Sequence, residues 1–193
     1  MNRTLVLMFP CLCVLALSVG CGGGAKYTYG KAEGEPDWIE RPPRKDDIIY
    51  VVGVSPQGLT RKIARRQAEM DARTRLAQEI ISRVKLRAGN TVKSLAGSES
   101  FGGDAADVAA NSEDMVKDVS EVSSQTTLSG SYTEEYWTNP KNGETYALMR
   151  LDTDAVDQAA KAQLFNRVRD EMKYVDEQVT EDLKNFLEEA YDR

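Results

Sequence analysis

Hydrophobic and polar positions change period several times along this chain, and each change marks an element. Leu5 to Leu17 is an almost continuous apolar run broken by Pro10. Its roughly 13 residues are too few to cross a bilayer, which takes about 20 in a helix, and they match a signal-peptide core. From Gly22 to about Glu35 no period survives, and the glycine-rich stretch reads as a tether. Pro36 to Pro43 frames Trp38 and Ile39 with prolines, which predicts an extended segment with its indole anchored in a groove. Ile48 to Val54 is continuous and β-branched, bounded by Asp46-Asp47 and Pro56. It predicts a strand buried on both faces or placed centrally in a sheet. Ser55-Pro56-Gln57-Gly58 turns the chain, and Thr60 stands where a helix N-cap is expected.

The period then becomes helical. Ala64, Ala68, Ala72, Leu76, Ile80 and Val84 recur every fourth residue in a helix running from Arg61 to Val84 or slightly past. Each step of four overshoots a turn by about 40°, so this stripe winds around the helix. Its alanine end suits close approach to a sheet, and its bulkier end faces elsewhere, toward a second contact or another protomer. Ile63, Met70, Ala77 and Ile81 widen the apolar surface. From Gly89 to Gln125 the chain is small and polar, with a loop at Ser98 to Gly103. A thin helical pattern follows from Asp104 to Val122, carried by Val108, Met115, Val119 and Val122. Alternation from Thr126 to Trp137, turn residues at 138–143 and a return from Tyr146 to Leu151 predict a hairpin. Glu134 and Glu135 are adjacent in a strand, so they should point to opposite faces and cannot work as an acid/base pair. Asp152-Thr153-Asp154 can cap a final helix to about Tyr191, with Leu164, Val168, Met172, Val175, Val179, Leu183 and Phe186 on its seam. Unbroken, that helix would reach about 57 Å, so it either breaks or projects.

Composition narrows the chemistry. The 193 residues carry a net charge of −6, and removal of a signal segment takes away only Arg3, leaving −7. An acidic chain is a poor partner for nucleic acid. The absence of histidine removes the usual general base and the commonest metal ligand. We therefore expect no catalysis, no bound metal and no cofactor. One stretch reverses the sign: Arg61, Lys62, Arg65, Arg66, Arg73, Arg75, Arg83, Lys85 and Arg87 face Glu69, Asp71 and Glu79 on a single helix. Such a face is either solvated and paired with the acidic C-terminal helix, or it meets lipid head groups or an acidic neighbouring subunit. On the second reading Arg65, Arg66 and Arg73 form an anionic-partner face.

Cys11 and Cys13 leave with the signal segment, so Cys21 is the one cysteine of the mature chain. It follows Leu17-Ser18-Val19-Gly20, and this stretch resembles a bacterial lipobox with Cys21 as the acylated first residue. Gly22 in the next position resembles an outer-membrane sorting signal. Further on, Trp38-Ile39…Pro42, Tyr50-Val51-Val52-Gly53-Val54, the alanine-spaced helix, Leu128…Tyr136-Trp137 and Gly143…Tyr146-Ala147-Leu148-Met149-Arg150-Leu151-Asp152 follow in order. This set resembles the twenty-kilodalton outer-membrane lipoprotein family, over Pro36 to Asp152. The resemblance implies an α+β fold: a small antiparallel three-stranded sheet packed by a long Ala-rich helix, here with a long C-terminal helix. The chain thus reads as a signal peptide at 1–20, a tether at 21–35, an α+β domain at 36–152 and a helical extension at 153–193, of which the resemblance covers 36–152. The resemblance also implies attachment to the outer membrane facing the periplasm, and no catalytic residues. The expected function is a lipid-anchored scaffold that oligomerises or joins other envelope proteins. The alternative is a lipoprotein that binds an anionic envelope lipid or glycan through its first helix.

Overall fold

The computed structural model describes residues 32, 34–98, 101, 108, 110–172 and 176–193; Cys21, the signal segment and most of the tether lie outside the described residues. Three strands, β1 (Ile48–Val54), β2 (Tyr132–Thr138) and β3 (Thr145–Asp152), form an antiparallel sheet in the order β1-β3-β2. The architecture is α+β, with helix α1 (Arg61–Ala96) lying across the sheet. Helices α2 (Ser112–Thr127), α3 (Thr153–Glu171) and α4 (Glu177–Asp192) follow in chain order and complete the core.

The continuous apolar run of β1 occupies an edge, and the central strand is β3, whose pattern is more fully buried. An edge strand can be this apolar because other parts of the chain cover it. Helix α1 packs against it, and the Asp71 carboxylate of α1 accepts the Val54 amide at 2.9 Å. Trp38 is buried as expected, but in a short 3-10 turn (Asp37–Ile39) packed on β3 rather than in an extended segment.

Gly53 sets the distance between sheet and helix. A Cβ there would sit 2.2 Å from the Ala68 carbonyl oxygen, 2.3 Å from the Ala72 nitrogen and 2.7 Å from the Ala72 Cα. Only a glycine opposite alanines allows backbones to meet this closely. The buried stripe of α1 then winds on through Leu76, Ile80, Val84, Ala88, Thr91, Val92 and Leu95, turning from the sheet to the other helices. The helix is therefore longer than its periodicity up to Val84 suggests, about 54 Å at 1.5 Å per residue. Gly89 does not end it, because burial on both sides of Gly89 outweighs a propensity cost of about 1 kcal/mol. The second contact of the bulky end is with helices of the same chain. Ile63 and Met70, read as part of the apolar surface, are instead 48% and 55% exposed.

Three further expectations change. Helix α2 continues through Thr127, so β2 starts at Tyr132 and not at Thr126. Its buried side uses Met115, Val119, Ser120, Ser123, Ser124 and Thr127, while Val122 is exposed. Small hydroxyl residues let α2 approach α1, and several return their hydrogen bonds to their own helix, as Thr127 does to the Ser123 carbonyl at 2.8 Å. A bulge between Thr133 and Glu135 interrupts the alternation, so Glu134 and Glu135 are both exposed without the regular opposite-face geometry. Thr60 occupies the N-cap position of α1 but its hydroxyl makes no capping bond. Asp152 does cap α3, accepting from the Asp154 amide at 3.0 Å.

The final helix breaks rather than projects. Met172 is extended, and Asp176 caps α4 by accepting the Val179 amide at 2.8 Å. Val175 lies outside the described residues. The two helices form an antiparallel pair: Lys161 of α3 meets Asp192 at the end of α4 at 2.7 Å. The seam of Leu164, Val168, Met172 and Leu183, extended by Leu187 and Tyr191, is thus satisfied within the chain.

Helices α1, α3 and α4 meet at a polar junction. Asp157 accepts from Arg83 at 3.1 Å and from Arg87 at 2.8 Å, and the Arg87 guanidinium lies 5.6 Å from the centre of the Tyr191 ring. Burial pushes the Tyr191 phenol well above its ordinary value, and the Asp157 charge pushes it further against Arg87 and Arg83. Its hydroxyl has no hydrogen-bond partner among the described residues. Above pH 10 the unfolded chain therefore loses a phenolic proton that the fold retains, so stability falls as pH rises from there. Tyr191→Phe is expected to leave stability at pH 7 unchanged or raise it by up to about 1 kcal/mol, and to flatten the alkaline loss. Urea midpoints at pH 7 and pH 11 test this; a loss of about 1 kcal/mol or more at pH 7 would mean that the hydroxyl is bonded.

Candidate functional site

The first four turns of α1 carry six basic residues, Arg61, Lys62, Arg65, Arg66, Arg73 and Arg75, against Glu69 and Asp71. The alanine stripe holds this segment on the sheet, which fixes where the charges point. Asp71 is engaged twice, by the Val54 amide and by Arg75 at 2.9 Å. On the other side of the helix, strand β2 raises Tyr136 beside it. The Tyr136 hydroxyl donates to Glu69, and the Arg65 guanidinium stacks on the Tyr136 ring, 4.8 Å from its centre. Burial and then the Glu69 hydrogen bond raise the Tyr136 phenol above its ordinary value.

A cleft of about 640 Å³ results, lined by Arg61, Lys62, Arg65, Arg66, Glu69 and Tyr136. A second hollow continues from it past Trp137 to the Gly143 turn. The structure thus brings Arg65 and Arg66 together. Arg73 stands about two turns further along the exposed side and does not line the cleft. The Arg65 Nε is buried without a hydrogen-bond partner among the described residues, so the stack on Tyr136, worth about 0.5–1 kcal/mol, orients that side chain. Tyr136 and Glu69 were not among the expected site residues. Their signal was present but weak, since a strand tyrosine and a helix glutamate 67 residues apart meet only once the sheet is assembled.

Pairing of the basic face with the acidic C-terminal region occurs at one end only. Arg83 and Arg87 meet Asp157, whereas Arg61, Lys62, Arg66 and Arg73 make no ion pair among the described residues. That free half also carries exposed Ile63 and Met70. The positions 63, 66, 70 and 73 lie on one face at three- and four-residue spacing. What the arrangement offers is a cationic, partly apolar surface rather than a reacting pair: the one carboxylate in the cleft is held by a phenol. Among the described residues no cluster of three side chains is placed to hold a metal ion.

On the opposite face of the sheet, Arg150 lies between Tyr50 and Tyr132 in one cross-strand row, at 5.9 and 5.3 Å from the ring centres. Further along the strands Trp137 and Tyr146 form another cross-strand pair, their rings tilted by 44° with centres 5.7 Å apart. The Tyr146 phenol is pushed up to about 12 by burial and by donating to Glu144. Arg150 also lies 3.8 Å from the Glu134 carboxylate. No family model and no curated protein matches the chain.

Proposed function

We infer that this protein is a lipid-anchored scaffold of the bacterial envelope, acylated at Cys21, held at the outer membrane facing the periplasm, and acting by association of its folded body. The observation that carries this reading is the uncovered half of α1. Ile63 and Met70 are exposed on the side of α1 away from its buried alanine stripe, and Arg66 and Arg73 beside them have no ion pair among the described residues. Exposed apolar groups set among unpaired charges mark a surface that meets another macromolecule. The ordered resemblance to the twenty-kilodalton outer-membrane lipoprotein family and the lipobox before Cys21 supply the anchor and the compartment.

Cell fractionation with mass analysis tests the anchor. The wild-type chain is expected in the outer-membrane fraction with an acylated N-terminus at Cys21, and Cys21→Ser is expected to lose both. An unmodified wild-type N-terminus would remove the anchor from this reading.

A second reading is favoured by the cleft itself, where four cations converge beside Tyr136. There the surface holds an anionic envelope lipid or glycan. It requires wild-type chain to bind vesicles containing an anionic phospholipid and Arg65→Glu to lose that binding with its fold intact.

A further inference from the structure

Resting on the scaffold reading, we propose that the basic stripe of α1 is the seat for the acidic face of α4 of a second copy of this chain. Residues 176–193 carry seven carboxylates against Lys184 and Arg193. Leu183, Leu187 and Tyr191 turn inward, which points Glu181 and Glu188 out. Asp192 is engaged by Lys161 and Glu189 by Arg193, while Glu181 and Glu188 make no ion pair among the described residues. These two lie seven residues apart on one helix, and Arg66 and Arg73 lie seven apart on the other. Both spacings are two turns, about 10.5 Å along each axis. Two helices laid side by side can therefore form both pairs at once, with Ile63 and Met70 covered between them.

The chain cannot make this contact with itself. Its own α4 is fixed at the far half of α1, where Tyr191 stacks on Arg87. Arg66 is 21 residues earlier, about 32 Å along the helix. The basic seat and the acidic face are different surfaces at different places on the molecule, so the contact is heterologous. Each copy that docks its α4 leaves its own basic stripe open for the next, which builds a ring if the rotation closes and a filament if it does not.

Sedimentation of the full-length chain in mild detergent tests this, comparing wild type, Arg66→Glu/Arg73→Glu and Glu181→Lys/Glu188→Lys. All four side chains are exposed, so each variant is expected to keep its far-ultraviolet circular dichroism and melting temperature. Wild type should associate at low salt and dissociate as salt screens the pairs. Each reversed variant alone should associate at least about tenfold more weakly, because like charges then face each other. An equimolar mixture of the two variants should recover association, since each presents a face complementary to the other's. Wild type that stays monomeric at every concentration overturns the scaffold reading and this contact with it. Wild-type association unchanged in both variants overturns this contact alone and leaves the scaffold reading standing. Loss of binding to phosphatidylglycerol vesicles by Arg66→Glu/Arg73→Glu, with association unaffected, assigns the stripe to lipid and also overturns it.

Discussion

Gly53→Ala is expected to destabilise the protein by about 3 kcal/mol or more, a large share of the stability of a chain this size. One methyl group does this because of what it meets. The three atoms within reach of the added Cβ all belong to the backbone at Ala68 and Ala72. A side chain could swing aside, but a helix backbone can yield only if α1 lifts from the sheet. Lifting it opens the contact of the whole alanine stripe with β1 and β3, and the rest of α1 moves with it as a rigid rod. Gly58→Ala is the control. Gly58 has φ +75° with nothing within 4 Å of an added Cβ, so its cost is the conformational one of about 1 kcal/mol. Urea unfolding followed by circular dichroism separates the two. Equal losses at the two positions would mean that the strand and helix are not in backbone contact.

Asp157→Ala is expected to cost about 2 kcal/mol, below the 3–5 kcal/mol of a fully buried pair because Arg87 is about one-third exposed. Two guanidiniums converge on one largely buried carboxylate, at 3.1 and 2.8 Å. Removing it leaves Arg83 and Arg87 one turn apart with like charges and without their acceptor. The loss should shrink when Arg83→Met and Arg87→Met are added to Asp157→Ala, because no stranded cation then remains. A single-variant cost under about 0.5 kcal/mol, or no recovery in the triple variant, would show that the junction contributes packing only.

Much of the fold is legible in residue order. The run at Ile48 to Val54 becomes β1 with those bounds, and the four-residue alanine spacing places α1 on the sheet. Asp152 caps the helix that it precedes. The errors share a cause: each depends on what lies across from a residue rather than beside it. The helical period reads to Val84 or slightly past, but packing on both sides of Gly89 carries α1 through to Ala96. Ser123 and Ser124 fall past the helical pattern that ends at Val122, and Thr127 reads as strand, but with Ser120 they are the contact side of a close helix pair. Ile63 and Met70 read as part of a wider apolar surface, but they fall on the side of α1 that the winding stripe leaves behind.

The candidate site divides in the same way. The local reversal of charge on α1 is visible in the sequence, and so is the acidity of the C-terminal helix. That Arg83 and Arg87 are neutralised while Arg66 and Arg73 are not cannot be read from either segment. It follows from the packing of α3 against α1, which sets Asp157 beside Arg83 and Arg87 and leaves Arg66 and Arg73 without an ion pair among the described residues. Tyr136 enters the cleft only because the order β1-β3-β2 sets β2 beside Glu69 and Arg65.

By itself the sequence determined the elements with one dominant neighbour relation and the reversal of charge between the first helix and the last, because period, charge and turn chemistry are local properties. The tertiary structure alone decided which strand is central, where the last helix turns and which charges are spent inside the fold. Those outcomes depend on contacts between residues far apart in the chain, and no local pattern contains the distance between them.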